Sequence, residues 1–144
     1  MLKSTKGVIK KLQNGMRHRG KATSADLRTI EQLLKKEPKC ARLWCMRGNF
    51  IELSDDDNIY SIRDALLSYK HGIKVEPEYA DSYIEAGYYH FNVRDDPFRA
   101  LPYFRHALKL KSSLKLLNVY HEVQKEISER KADKSNRGLT RHSS

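Results

Sequence analysis

Two stretches of the chain follow one template. The first runs Trp44-x2-Arg47-Gly48, then Ala65-x3-Tyr69-x2-Gly72-x4-Pro77; the second runs Tyr83-x2-Ala86-Gly87, then Ala100-x3-Phe104-x2-Ala107. Gly48 and Gly87 stand 39 residues apart, as do Pro38 and Pro77, while Ala65 and Ala100 stand 35 apart. Self-similarity at this period is the mark of stacked helical hairpins, in which each unit leaves an apolar face for its neighbour to cover. A chain of this kind offers a surface for holding a partner more readily than an enclosure for chemistry.

Hydrophobic spacing places the helices. Thr23 opens one, with Asp26 three residues on where a capping box prefers Glu or Gln. Leu27, Ile30, Leu33 and Leu34 form its apolar stripe, and Pro38 ends it by pushing the preceding residue out of the helical region. Residues 41–53 form the next helix, apolar on more than one face through Trp44, Met46, Phe50, Ile51 and Leu53. The polar run Ser54-Asp55-Asp56-Asp57-Asn58 breaks the pattern, with Asp57 or Asn58 as cap of a helix reaching about Lys74. Ala80 to about Val93 makes another, rich in tyrosine. Asp96 caps the next, with Pro97 at its first position and Pro102 marking either a kink or a later true start. The last helix covers about 113–130. Gly48, Ala65, Ala86, Gly87, Ala100 and Ala107 are the small residues expected where helices cross closely. A buried Trp44 is expected to cost about 3–5 kcal/mol on truncation.

Charge is distributed unevenly. Residues 1–22 carry seven Lys and Arg and no acid, residues 23–112 balance fourteen against fourteen, and residues 113–144 carry seven basic and four acidic side chains. The repeat region is therefore neutral and the excess of +10 sits at the ends. Leu2, Thr5, Ile9, Leu12 and Met16 recur at helical spacing between the lysines. This segment reads in three ways: a helix packed on the array, a disordered arm, or a targeting or lipid-contacting helix. The polar stretch 131–144 has too little apolar surface to repay its ordering entropy and is expected to be a disordered tail. No run of 18 apolar residues is present. Two cysteines, Cys40 and Cys45, form no disulfide framework and fit a reduced, cytoplasmic setting.

The tandem pattern resembles the tetratricopeptide (TPR) repeat, a helix pair with W-x2-L-G-x2-Y in the first helix and A-x3-F-x2-A, then proline, in the second. Arg47 stands for the leucine of the first copy, Ile51 for its tyrosine and Gly72 for its alanine, with five extra residues between Gly48 and Ala65. In the second copy Ala86, His90 and Ser112 depart from the pattern, and one extra residue separates Gly87 from Ala100. The resemblance covers about residues 23–125 and implies an all-α fold. That fold is a short right-handed solenoid of antiparallel helix pairs, about six helices over 23–130, with 1–22 as a basic arm or helix. It also implies a concave groove lined by the first helix of each pair. Carried over, the groove takes Arg42, Cys45, Asn49 and Glu52 from one copy, Asp81, Ile84, Tyr88 and Asn92 from the next, and His121 and Gln124 beyond. Asn49 resembles the asparagines that hold peptide backbones, and Tyr88 is the preferred anchor, being equally placed to serve as core. The strip has too little positive charge for the carboxylate clamp of chaperone-tail-binding members.

No catalytic constellation stands out. None of the six histidines pairs with a cysteine at metal-ligand spacing, and no H-E-x-x-H motif or phosphate-cradling glycine loop occurs. The aspartate run lacks the glycine and glutamate of a calcium loop. The sequence therefore points to a non-enzymatic adaptor or chaperone-like module, without cofactor, that holds a peptide or helix of a partner protein. The alternatives are a nucleic-acid-associated protein acting through its basic ends, with anionic membrane as a weaker target, and a self-assembling subunit. Tests that separate these are Tyr88→Ala and Asn49→Ala for the groove, and a salt titration for phosphate contact.

Overall fold

Helix-start chemistry is written repeatedly along the chain, and the structure, a computed structural model, follows it. The backbone of residues 1–54 and 60–142 is described, with side chains up to residue 138. Among these residues the fold is all-helical, with seven α-helices and no strand. They are α1 (Lys3–Arg19), α2 (Ser24–Lys36), α3 (Ala41–Glu52), α4 (Ile62–Val75), α5 (Ala80–Tyr88), α6 (Pro97–Leu110) and α7 (Leu114–His142), with a π turn over Tyr89–Val93 after α5. They divide into two compact units, Met1–Glu85 and Ala86–Ser144.

In the first unit the basic segment 1–22 is a packed helix: Thr5, Ile9 and Leu12 of α1 are buried. It runs antiparallel to α2. The Leu2 amide donates to Glu37 Oε1 at 2.9 Å, past the end of α2, and Arg19 donates to Asp26 Oδ2 at 2.6 Å, at its start. Asp26 closes the capping box despite its short side chain, accepting from the Thr23 amide at 3.0 Å while Thr23 Oγ1 accepts from the Asp26 amide at 3.1 Å. The cap of α4 is Ser61, which makes the same box with Asp64. The expected caps Asp57 and Asn58, and the calcium reading of their loop, lie outside the described residues.

Two features recur within this unit. Glu76 Oε1 accepts from the Ala41 amide at 2.8 Å, so the glutamate after α4 caps the start of α3 as Glu37 caps α1 across the same separation of 35 residues. The Trp44 indole N–H donates to the Pro38 carbonyl and the Tyr83 hydroxyl to the Pro77 carbonyl, each at 2.8 Å and six residues back. Trp44 and Tyr83 thus occupy matching local places. Trp44 is only half-buried, however, resting against His71 at 4.0 Å between ring centroids, so the loss expected for a fully buried tryptophan does not apply.

Gly48 admits the Tyr69 ring between α3 and α4: a Cβ there would lie 2.3 Å from a ring carbon. Arg47, where the repeat pattern has leucine, joins a polar cluster instead. It donates to the buried Ser68 Oγ at 2.6 Å, lies 3.5 Å from Glu31 and covers the Tyr60 ring at 4.9 Å.

In the second unit Phe104 fills the space above Gly87, where a Cβ would meet the ring at 2.8 Å. The π turn is closed by the Arg94 amide reaching back five residues to the Tyr89 carbonyl. Asp95 follows at φ 50, a left-handed conformation that aspartate tolerates better than most residues. Asp96 caps α6 by accepting from the Arg99 amide at 3.1 Å, with Pro97 at the first position as expected. α6 continues unbroken through Pro102. Antiparallel to it, α7 is fixed by Arg130, which donates to the Asp95 carbonyl at 3.0 Å and to its carboxylate at 2.5 Å. α7 does not end near 130; it runs to His142, because no proline interrupts it and its only glycine is Gly138. Residues 131–137 are exposed along it.

Candidate functional site

A cavity of about 550 Å³ lies in the first unit, lined from three helices. From α3, the one-sided spacing of Arg42, Cys45 and Asn49 brings three expected groove residues to it, together with Met46 and Phe50. Asp81 and Glu85, one turn apart on α5, form another side, with Tyr79 beside them. α1 contributes Gln13 and Met16.

The floor is apolar and inert. Cys45 is buried, and burial pushes its thiol up to about 12, against a 3.3 Å contact with Ser82 Oγ. The charges of Glu85 and Asp81 also raise it. The rim is polar. Arg42 is exposed, and Asn49 is half-buried and held from behind, its Oδ1 accepting from the Tyr69 hydroxyl at 2.8 Å. With its oxygen engaged, the carboxamide of Asn49 keeps its two N–H donors for another acceptor.

Glu52 does not line the cavity. It turns towards the same tyrosine, Oε2 lying 2.5 Å from the Tyr69 hydroxyl. Burial raises its carboxyl above the ordinary range, an effect opposed by the Tyr69 hydrogen bond. Burial likewise raises the Tyr69 phenol. One phenolic proton faces two acceptors, Asn49 Oδ1 and Glu52 Oε2, so the tyrosine links the carboxyl to the carboxamide. Glu52 is therefore a support for Asn49.

Ile84 of α5 is half-buried and also absent from the lining. The remaining expected residues belong to the second unit. There Tyr88 packs edge-on against Phe104 at 5.2 Å between centroids, the core role allowed for it, while Asn92, His121 and Gln124 are exposed. Sequence reasoning missed Gln13, Met16, Met46, Phe50, Tyr79 and Glu85. The spacing of Leu2, Thr5, Ile9, Leu12 and Met16 is the available signal for α1; it allows a helix packed on the array but does not name the residues that such a helix brings to a cavity.

Among the described residues, no group of three or more His, Cys, Asp or Glu side chains is placed to hold a metal ion. Nor is any described helix long and apolar enough to cross a membrane. No protein-family model matches the sequence, and no curated protein matches it either.

Proposed function

We propose that the chain is a non-enzymatic protein-interaction module of the adaptor or chaperone-like kind, and that its first unit is a short right-handed solenoid of TPR-like helix pairs. The observation that carries this reading is the cavity to which α1, α3 and α5 all contribute. Those are the first helices of successive pairs, the elements that would line a concave face. The recurring Glu37/Glu76 caps and the matching bonds of Trp44 and Tyr83 support the repeat assignment.

The lining fits an extended peptide. Met16, Met46 and Phe50 provide apolar contact, and flexible methionines adapt to varied side chains. Gln13 and Asn49 offer carboxamides to a peptide backbone, and Arg42 opposes the carboxylates of Asp81 and Glu85. Peptides selected from a random display library on the full chain supply the probe, with affinity read by calorimetry. Arg42→Ala and Gln13→Ala act at the rim and spare the core. Each is expected to weaken binding by about tenfold, in line with roughly 1–2 kcal/mol for an interface contact. Selected peptides whose affinity ignores both changes while the fold is intact overturn the assignment.

A further inference from the structure

A different face of α1 is built for another kind of partner. Lys3, Lys6, Lys10, Asn14 and Arg17 follow one another at intervals of three, four, four and three residues, which places them in one row along the helix. All five are exposed. Among the described residues none of the four cations takes part in an ion pair, and residues 1–22 contain no acid to neutralise them. At a rise of about 1.5 Å per residue the row is roughly 21 Å long.

We infer that this row is a docking surface for the phosphate backbone of a nucleic acid duplex. Charge complementarity selects a polyanion, since a duplex offers one phosphate about every 1.7 Å along its axis and the row can reach several at once. Burial separates this partner from a lipid bilayer. An interfacial helix inserts its apolar face, and here Ile9 is 0% exposed and Leu12 9%, both spent on the protein's own core. α1 carries no Phe, Tyr or Trp to stack on the bases of a single strand, and its one ring, His18, falls about a quarter-turn away from the basic row. Contact is thus with phosphates and is indifferent to sequence.

The basic stretch of α7 is a poorer candidate. Lys131, Lys134 and Arg137 fan across about a third of the helix circumference, with Asp133 among them, and the preceding turns pair Lys125 with Glu129 and Arg130 with Glu126.

The test is fluorescence anisotropy of the full chain with two labelled 20-base-pair duplexes of unrelated sequence, between 50 and 300 mM NaCl. Four phosphate contacts give a log–log slope of about −3.6 for both duplexes. The combined variant Lys3→Gln, Lys6→Gln, Lys10→Gln and Arg17→Gln changes only exposed side chains. Its thermal transition is expected to match that of the parent, while duplex affinity at 50 mM salt falls at least tenfold and the slope flattens towards zero. The variant Lys131→Gln, Lys134→Gln and Arg137→Gln is expected to bind as the parent does. The inference is overturned by any of three results: no duplex binding at 50 mM salt, equal binding by the α1 variant, or loss of binding in the α7 variant instead. Flotation with phosphatidylserine-containing vesicles is run alongside, and tight vesicle binding without duplex binding overturns it in favour of a lipid surface.

Discussion

Gly48 and Gly7 both sit inside helices, and replacing each with alanine is expected to move stability in opposite directions. An interior glycine costs a helix roughly 1 kcal/mol relative to alanine. At Gly7 a Cβ would meet nothing within 4 Å, so Gly7→Ala is expected to gain up to that amount. At Gly48 the same Cβ would lie 2.3, 2.7 and 2.8 Å from three atoms of the Tyr69 ring, far inside the roughly 3.5–4.0 Å separation at which carbon atoms attract. The ring has no easy retreat. Tyr69 is fully buried and its hydroxyl is held by Asn49 and Glu52. Overpacking of this kind costs about 1–3 kcal/mol or more and outweighs the helical gain. Urea denaturation followed by circular dichroism should therefore separate the two variants by about 1–3 kcal/mol or more, Gly7→Ala above the parent and Gly48→Ala below it. The double variant Gly48→Ala, Tyr69→Leu should be less damaged than the sum of its parts, because the smaller side chain vacates the contested space. A Gly48→Ala protein as stable as the parent would refute the close α3–α4 crossing.

Cysteine chemistry and pH give two further checks. With its thiol pushed up to about 12, Cys45 is almost wholly protonated at pH 8, so a thiol reagent should label the half-buried Cys40 first and Cys45 only on denaturation; prompt labelling of both in the native protein contradicts the buried floor. Glu52 is a carboxyl raised on folding, so the folded state holds its proton more tightly than the unfolded chain. Its contribution is complete below the ordinary carboxylate range and is lost as pH rises through the raised value. Glu52→Gln should flatten that decline between the parent's acid and neutral denaturation curves, and an unchanged slope counts against the raised carboxyl.

The places where sequence sufficed share a physical cause. Asp96 with Pro97, the stripe of α2 and the small residues opposite Tyr69 and Phe104 are local or periodic signals, readable without knowing what lies across the core. Carrying the groove face of the tetratricopeptide pattern onto α3 gave Arg42, Cys45 and Asn49, one wall of the cavity. It failed for Glu52, which lies near the same face but is drawn to a tyrosine 17 residues away by a hydrogen bond that no spacing encodes. α1 escaped pairing with α2 for a related reason. Aligned through Glu37 and Glu76, Thr5 and Ile9 stand where the next pair has Trp44 and Gly48, and Ile30 stands for Tyr69. Where one pair has a large ring against glycine, the other has two buried isoleucines, an apolar exchange that erases the motif. An end of α7 near 130 follows only if burial is required of it, whereas residues 131–137 are helical while exposed.

On the repeat assignment proposed above, the π turn at Tyr89–Val93 takes up the one residue by which the stretch from Gly87 to Ala100 exceeds the pattern. A hydrogen bond spanning five residues in place of four absorbs the insertion inside the helix, and Gly87 still meets Phe104. Chain length was thus accommodated without lengthening the connection to α6, where Asp95 and Asp96 alone intervene between Arg94 and Pro97. By the same token, removing one residue from that turn should leave an ordinary α-helix, which makes this stretch a natural shock absorber for changes of length.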